Sequence, residues 1–509
     1  MMVSYLLYSE RQPQGHNETM KKYYLLIITL MLCNAAALDA STKTVGKVFE
    51  YIDTYYVEPV NYSTLYRDTL RHLTRDFPGK IKMEERGSET FHVACSMKET
   101  DFRILKQDQA SNVKQLGKII QTCVPERLLK KLQKNNQTVE QITLVALLGS
   151  LDPHSGFMTA EMYKELNTDL HGSFGGIGAE ITVQNGVITV VSPIDDTPAF
   201  TAGIKTGDQI IRINGEPTKG MTVVEAVRKI RGPKNTKVNL TIKRVDMAKL
   251  KNLMITRNMI NIKTVKYKLY EDHIGYIRLS SFQENTTDEL QTALREINKK
   301  EGPLKGLLLD MRNNPGGLLD QAIKVSDQFM KSGIIVSTKG RKKNTETTAR
   351  ARNHGDEPAY PIVILVNEGT ASAAEIVSGA LQENRKALIV GTQTFGKGSV
   401  QTVFPLEDGS ALKLTTARYY TPKGRSVQEK GITPDLVVGK IQGFREKDLR
   451  DYGAGNRPKG KNRIDAKNAK NIEADREIQL QSALQLLRKI IVTGDLQKGL
   501  QAFHTAKLH

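Results

Sequence analysis

Tryptophan is absent, and aromatic residues make up only 6% of the 509-residue chain. A formal net charge of +19 would suit anionic surroundings such as nucleic acid, membrane headgroups or acidic wall polymers. Charge alone does not make a nucleic-acid binder, and no recognised binding motif accompanies it. No nucleic-acid partner is expected, and the basic balance reads as a soluble surface. Cysteine is confined to Cys33, Cys95 and Cys123, with no cluster at metal-ligand spacing around them, so no metal site is expected. Hydrophobic residues at 39% and charged residues at 25% are ample for a core, and the length implies more than one domain.

The apolar run Tyr23 to Leu32 is too short to span a bilayer comfortably. Lys21 and Lys22 precede it and Ala35-x-Ala37 follows, so residues 20–37 read as a secretory signal with Met20 as the true start. Bulky Leu32 before Cys33 speaks against lipidation. Cys95 and Cys123 both lie beyond the signal. An even pair in an exported chain predicts one disulfide, stabilising by about 3–4 kcal/mol through loop closure; two buried free thiols are the alternative.

Histidine is missing where a nucleophile is best placed. Residues 361–401 hold an apolar run, Ile362 to Val366, then a turn at Asn367-Glu368-Gly369 and a helical pattern from Thr370 to Leu381. Ser372 falls at the strand-to-helix junction, in the first turn, where free N–H groups and the helix dipole favour negative charge. The nearest histidine in sequence, His354, sits in a polar loop. A second strand, Ala387 to Val390, leads to a glycine-rich bend in which Lys397 stands between Gly396 and Gly398. Desolvation could lower its pKa from about 10.4 towards neutrality and let it take the Ser372 proton. Gln401, four residues on, could orient the amine. Glu375 would hold that amine charged if it faced the site, so it is expected to face away.

The words NEGTASAAEIVSGALQ and GTQTFGKGSVQ resemble the nucleophile and base motifs of the carboxyl-terminal processing peptidases, or tail-specific proteases. LLLDMRNNPGGLL at 307–319 and a PDZ-like stretch before it match independently, and the resemblance covers roughly 41–60 and 140–440. It implies Ser372 as nucleophile, Lys397 as general base and Gln401 as the residue that positions it. The amide of Ala373 and one of Gly316 or Gly317 would form the oxyanion hole. The implied fold is α/β: a ClpP/crotonase-like protease core (residues 262–440) with an inserted PDZ domain (168–249) and a helical N-terminal region (41–167). No cofactor is needed for such chemistry.

In chain order, Val45, Val48, Phe49, Ile52 and Tyr56 mark an amphipathic helix. Residues 61–137 depart from the family as an insertion that reads as partly helical over Leu65–Leu73, Phe102–Leu116 and Val124–Leu132. Thr138 and Gln141 form a capping box for a helix with an Ile142, Val145, Leu148 stripe. Asp152-Pro153-His154-Ser155 ends that helix, and a structural role for His154 is favoured over a catalytic one. The PDZ-like strand and helix order places a peptide carboxylate in the loop Phe174, Gly175, Gly176, Ile177 and Gly178, with the helix from Thr222 as the other wall. Strand–helix alternation from 273 to 390 predicts a βαβ core. Residues 441–472 read as a polar linker, and 473–500 as an amphipathic helix that packs on its own body or on another subunit.

The resulting expectation is an exported serine endopeptidase acting on proteins with exposed C-termini in the periplasm of a Gram-negative bacterium, with inner-membrane association left open. Family members commonly act on envelope proteins; some need an adaptor lipoprotein, and some use terminal helices to self-associate, so both are open here. A non-catalytic PDZ scaffold and a wall-peptide amidase are the rival readings.

Overall fold

The computed structural model describes residues 44–76, 81–95, 98–124, 126, 138–184, 186–194, 196–244, 247, 249–342, 345–355, 357–440, 445–448 and 466–507. The signal at 20–37, most of Val124–Leu132 and most of the 441–472 linker lie outside these residues. Two compact units emerge: one runs to Thr159 and includes Val403–Leu414, the other holds Ala160–Thr402 and Thr415 onward.

In the first unit, helix α1 (44–55) buries the predicted Val45, Val48, Phe49 and Ile52. Helix α2 (Tyr62–Asp76) turns Leu65, Tyr66 and Leu70 into the same core. The insertion is partly helical, as the periodicity suggested, and it also holds strands that the periodicity did not show. It continues as an antiparallel sheet of β1 (Ile81–Glu85), β2 (Thr90–Cys95) and β3 (Lys98–Arg103), and only then as helix α3 (Gln109–Cys123). Phe102, read as helical, is a strand residue packed between Tyr66 and Phe91. A disulfide joins Cys95 at the end of β2 to Cys123 at the end of α3. Helix α4 (Val139–Leu148) carries the Thr138–Gln141 capping box. Its apolar stripe is rotated from the one predicted: Leu144, Leu147 and Leu148 are buried, while Val145 faces outward. Asp152 accepts from the N–H groups of His154 and Ser155 at 2.8 and 3.0 Å, which makes this a tied turn. Strand β4 (Gly156–Met158) then pairs with residues Ala411–Lys413.

The second unit opens with helix α5 (Ala160–His171) and strand β5 (Ser173–Gly176). A small domain follows: β6 (Ala179–Gln184), β7 (Val187–Pro193), α6 (Pro198–Thr201), β8 (Gln209–Ile213), β9 (Glu216–Pro217), α7 (Val223–Ile230) and β10 (Lys237–Lys243). The domain does not stop at Lys249. Strand β11 (Lys251–Thr256) completes a sheet ordered β11-β10-β8-β7-β6, with β9 on β8, and β12 (Asn258–Asn261) pairs with β5. Buried Arg257 donates to the carbonyls of Ile230, Lys229 and Lys237, which fastens the end of α7.

The larger domain is built on β13 (Val265–Tyr270), β14 (Ile274–Leu279), α8 (Thr286–Glu301), β15 (Gly306–Asp310), α9 (Leu319–Asp327), a hairpin of β16 (Ile334–Gly340) and β17 (Thr347–Arg350), β18 (Ile362–Val366), α10 (Ala373–Glu383), β19 (Ala387–Gly391), β20 (Ser399–Pro405), β21 (Ala411–Tyr420) and β22 (Leu436–Val437). Its sheet order is β13-β14-β15-β18-β19-β22, parallel except for β13. Strands β15, β18 and β19 are buried at every position, which is why they read as continuous apolar runs rather than alternating ones. Leu307, Leu309, Ile362 and Ile364 meet α8, α9 and α10 on one face. On the other face Leu308, Val363, Leu365 and Val390 meet Leu484, Leu487 and Ile490 of the C-terminal helix α11 (Ala466–Thr493), joined by Phe503 of α12 (Leu496–Lys507). Of the two placements open from sequence, the terminal helix therefore packs on its own chain. It begins at Ala466, inside the stretch read as linker.

Candidate active site

Loops leaving the C-terminal ends of β15, β18 and β19 converge, as ligand-binding loops do in parallel sheets. Asn314 ties the first two together. Its side-chain N–H group donates to Leu279 O at 3.0 Å, its Oδ1 accepts from Gly316 N at 2.9 Å and its carbonyl accepts from Ala371 N at 2.9 Å. Asn367 Oδ1 accepts from Asn313 N at 2.7 Å, and its amide returns a bond to Asn313 Oδ1. The third loop is held by Phe395 N on Thr370 O at 3.0 Å.

Ser372 is the N-cap of α10, one position before the helix rather than in its first turn. Its φ of 55° and ψ of −117° lie where L-residues are strained, by about 1–3 kcal/mol. Such strain at a strand–turn–helix junction lifts a side chain clear of the backbone, as in a nucleophile elbow. Gly316 packs directly against it: a Cβ there would stand 2.8 Å from Ser372 Cβ and 2.9 Å from Ala373 N. The amide of Gly316 is used by Asn314, whereas those of Gly317 and Ala373 have no hydrogen-bond partner among the described residues.

Glu375 does not face away, as the sequence reading expected. Its carboxylate is fully buried between the two motifs. Oε2 accepts from Ser372 N at 2.8 Å and Lys397 N at 2.9 Å, and Oε1 from Gly396 N at 2.8 Å and Thr394 Oγ1 at 2.5 Å. One oxygen thus joins the backbone of both proposed catalytic residues. Burial outweighs these donors and pushes the carboxyl up to about 7. The signal was present in the sequence: Ser372-Ala373-Ala374-Glu375 has the capping-box spacing in which the fourth residue reaches back to the cap N–H.

Lys397 and Ser372 are both half-buried, open enough to meet a substrate. No side chain fits on either side of Lys397, since a Cβ on Gly396 or Gly398 would run into the backbone of Glu429 or Gln428. Gln401 lies on β20, where its amide donates to Ser399 Oγ at 2.9 Å and Thr415 Oγ1 at 3.4 Å. The sequence reading missed Tyr419, a buried phenol that donates to the Lys397 carbonyl. Burial, then the nearby Glu375 and Glu446, push it well above its ordinary value.

In the small domain, β6 is an edge strand, the position from which a peptide can be added to the sheet. Residues Phe174 to Gly178 lead into it. Gly175 and Phe174 line a cavity of about 350 Å3 with Val227, Arg228, Arg231 and Met259, and with Glu161 and Glu165 of α5. The Arg231 guanidinium lies 4.1 Å from the centre of the Phe174 ring.

Sheet, junction serine and edge-strand domain define a class, and the comparisons agree with it. The profile of peptidase family S41 matches residues 273–438 and that of the PDZ domain matches 167–243. The chain is a serine peptidase with an embedded PDZ domain. The carboxy-terminal-processing protease of Bartonella bacilliformis is 46% identical over 365 residues, 70% of this chain and 84% of that one. The carboxy-terminal processing protease CtpA of Bacillus subtilis is 42% identical over 285 residues, 56% of this chain and 60% of that one. This chain belongs to the carboxy-terminal processing protease family. The solved structure of the photosystem II D1 C-terminal processing protease aligns with 75% of this chain and 94% of its own at 26% identity, with a TM-score of 0.38. PDZ domains take peptide C-termini, which fits peptide or protein substrates. Both named curated relatives are bacterial proteins, and no described helix is long and apolar enough to cross a membrane.

Proposed function

We propose that Ser372 is the nucleophile and Lys397 the general base of an endopeptidase that reads substrate C-termini. The observation that carries this reading is the single Glu375 oxygen accepting from both Ser372 N and Lys397 N. Burial pushes the Glu375 carboxyl towards its neutral form, which weakens the charge that would hold Lys397 as an ammonium. The neutral Lys397 amine takes the Ser372 proton as Oγ attacks the scissile carbonyl, and returns it to the leaving amine. The oxyanion is received by the amides of Ala373 and Gly317; Gly316 is the poorer candidate because its amide is already bonded to Asn314. Water then attacks the acyl-enzyme with the same lysine as base. Gln401 steadies this end of β20 beside the lysine.

The substrate C-terminus binds along β6, its carboxylate in the Phe174–Gly178 loop. The adjoining cavity carries both signs, with Arg228 paired to Glu161 at 3.3 Å and Arg231 to Asp169 at 3.7 Å, so the backbone N–H groups of the loop are what would receive the carboxylate. The signal-like residues 20–37 support export, and periplasmic envelope proteins of a Gram-negative cell are the proposed substrates. An adaptor lipoprotein and self-association are compatible with this role, the latter through surfaces other than the apolar side of α11, which its own core occupies. Fragment mass spectrometry of a candidate envelope protein, incubated with wild type and with S372A, tests the assignment. Fragments should form with wild type alone; equal fragments from S372A would remove Ser372 from the chemistry.

A further inference from the structure

Arg312 follows β15 by two residues and precedes Gly316 by four, yet its side chain turns away from the site and is only 8% exposed. Its guanidinium is divided between two elements. Nε and Nη2 donate to the Asp310 carboxylate at 3.0 and 2.7 Å. Nη1 donates to the backbone carbonyl of Arg476 at 2.6 Å and to Gln479 Oε1 at 3.3 Å, both on α11. Gln479 is itself buried, and its amide donates to Val438 O at 3.0 Å, beside the end of β22. Asp310 also accepts from Tyr276 OH at 2.9 Å and Arg278 Nη1 at 3.3 Å.

The segment from Asp310 to Gly317 is therefore held at both ends. Arg312 fixes its start to the C-terminal helix, and Asn314 fixes its finish to the turn that carries Ser372. Covering the sheet face with α11 needs only the apolar contacts of Leu484, Leu487 and Ile490. A buried guanidinium adds a desolvation cost that an apolar residue of similar volume would avoid, so stability alone does not account for it. Its planar fork does supply fixed directions, which an apolar side chain or an ammonium cannot.

We propose that Arg312 is a positioning residue through which helix α11 sets the Gly316–Gly317 loop against Ser372. The C-terminal helix thereby belongs to the machinery that stabilises the oxyanion, although none of its residues touches substrate. This inference rests on the Ser372–Lys397 reading above. It predicts damage confined to the transition state: PDZ-bound peptide and ground-state substrate should be held as before.

The test compares wild type, S372A, R312K and Q479A in the full chain. Three quantities are read: kcat and KM on a tailed peptide, inhibition by a peptide boronic acid that forms a tetrahedral adduct on serine, and affinity of a free C-terminal peptide. For R312K, kcat should fall about 10–100-fold, the cost of a small misplacement at a reacting centre, with KM unchanged. Boronate affinity should fall by a similar factor and C-terminal peptide affinity not at all. Q479A, which leaves the Arg312–Asp310 pair intact, should follow the same pattern at about 3–10-fold, and it decides the matter alone if R312K does not fold. Wild-type kcat in a folded R312K, or in Q479A when R312K does not fold, would overturn the proposal. So would losses of kcat, KM and peptide affinity together, which mark general damage. An inactive wild type or an active S372A would instead remove the Ser372–Lys397 reading, and the inference with it.

Discussion

Replacing Glu375 with glutamine keeps the shape of a buried side chain and removes half of its accepting capacity. The native carboxylate accepts from Ser372 N, Lys397 N, Gly396 N and Thr394 Oγ1, two donors on each oxygen. A glutamine amide turns an NH2 towards one of those pairs whichever way it is placed. Two buried donors then lose their partner at about 1–3 kcal/mol each, or about 2–6 kcal/mol in all. If the displaced pair is Ser372 N and Lys397 N, the two residues spread apart, and kcat should fall at least about tenfold. The pH dependence gives a second readout. Burial raises this carboxyl from 4.5 to about 7 in the folded protein. Between those values the native state holds a proton that the unfolded chain has released. Stability from this group is therefore full below pH 4.5 and is lost as pH rises to about 7. The span is about 3 kcal/mol at 1.36 kcal/mol per unit. Urea denaturation followed by far-UV circular dichroism, at points across that range, should show this slope in wild type and its absence in E375Q. Equal slopes, or a loss under about 1 kcal/mol with wild-type turnover, would refute the role given to Glu375.

Reducing the Cys95–Cys123 bond, or replacing both residues with serine, should lower stability by about 3–4 kcal/mol, and non-reducing peptide mapping of native protein should find the two residues linked. G317A should cut kcat by about 100-fold or more, because the residue sits at a φ of 147° and a Cβ would drive into the Phe282 carbonyl; steady-state cleavage of a tailed peptide reads this directly. Amidating the C-terminus of a peptide ligand should weaken binding about 10–100-fold, the worth of charge-assisted bonds at 1.5–3 kcal/mol; calorimetric titration with both forms checks it.

The parts of the fold that could be read from sequence are those where burial is complete or alternates cleanly. Ile362–Val366 and Leu307–Asp310 announced themselves because every side chain is inside. Lys237–Lys243 did so because Val238, Leu240 and Ile242 alternate with polar residues. The insertion hid its sheet for the opposite reason. Ile81–Glu85 and Lys98–Arg103 are outer strands with one buried side chain each, so charged residues drown the period. Lys251–Thr256 escaped notice in the same way, with only Leu253 and Ile255 turned inward. At the site, resemblance to the family motifs pointed to Ser372 and Lys397 as the proposed pair but not to what lies between them. The turn of Glu375 back to Ser372 N was legible in the capping-box spacing, but its bond to Lys397 N, the phenol of Tyr419 and the reach of Arg312 to α11 depend on contacts across longer separations, which local periodicity does not carry.

The central claim is that Lys397 accepts a proton, and an arginine in its place tests that most directly. A guanidinium keeps the charge and much of the reach of lysine but cannot give up its proton in the working range. Steady-state cleavage of a denatured or C-terminally tailed protein should be compared across wild type, K397A and K397R, with circular dichroism and C-terminal peptide binding confirming that each variant is folded. The account predicts that both variants bind peptide as wild type does and lose nearly all cleavage. Substantial turnover by K397R would contradict the general-base role and return the search for a base to His154.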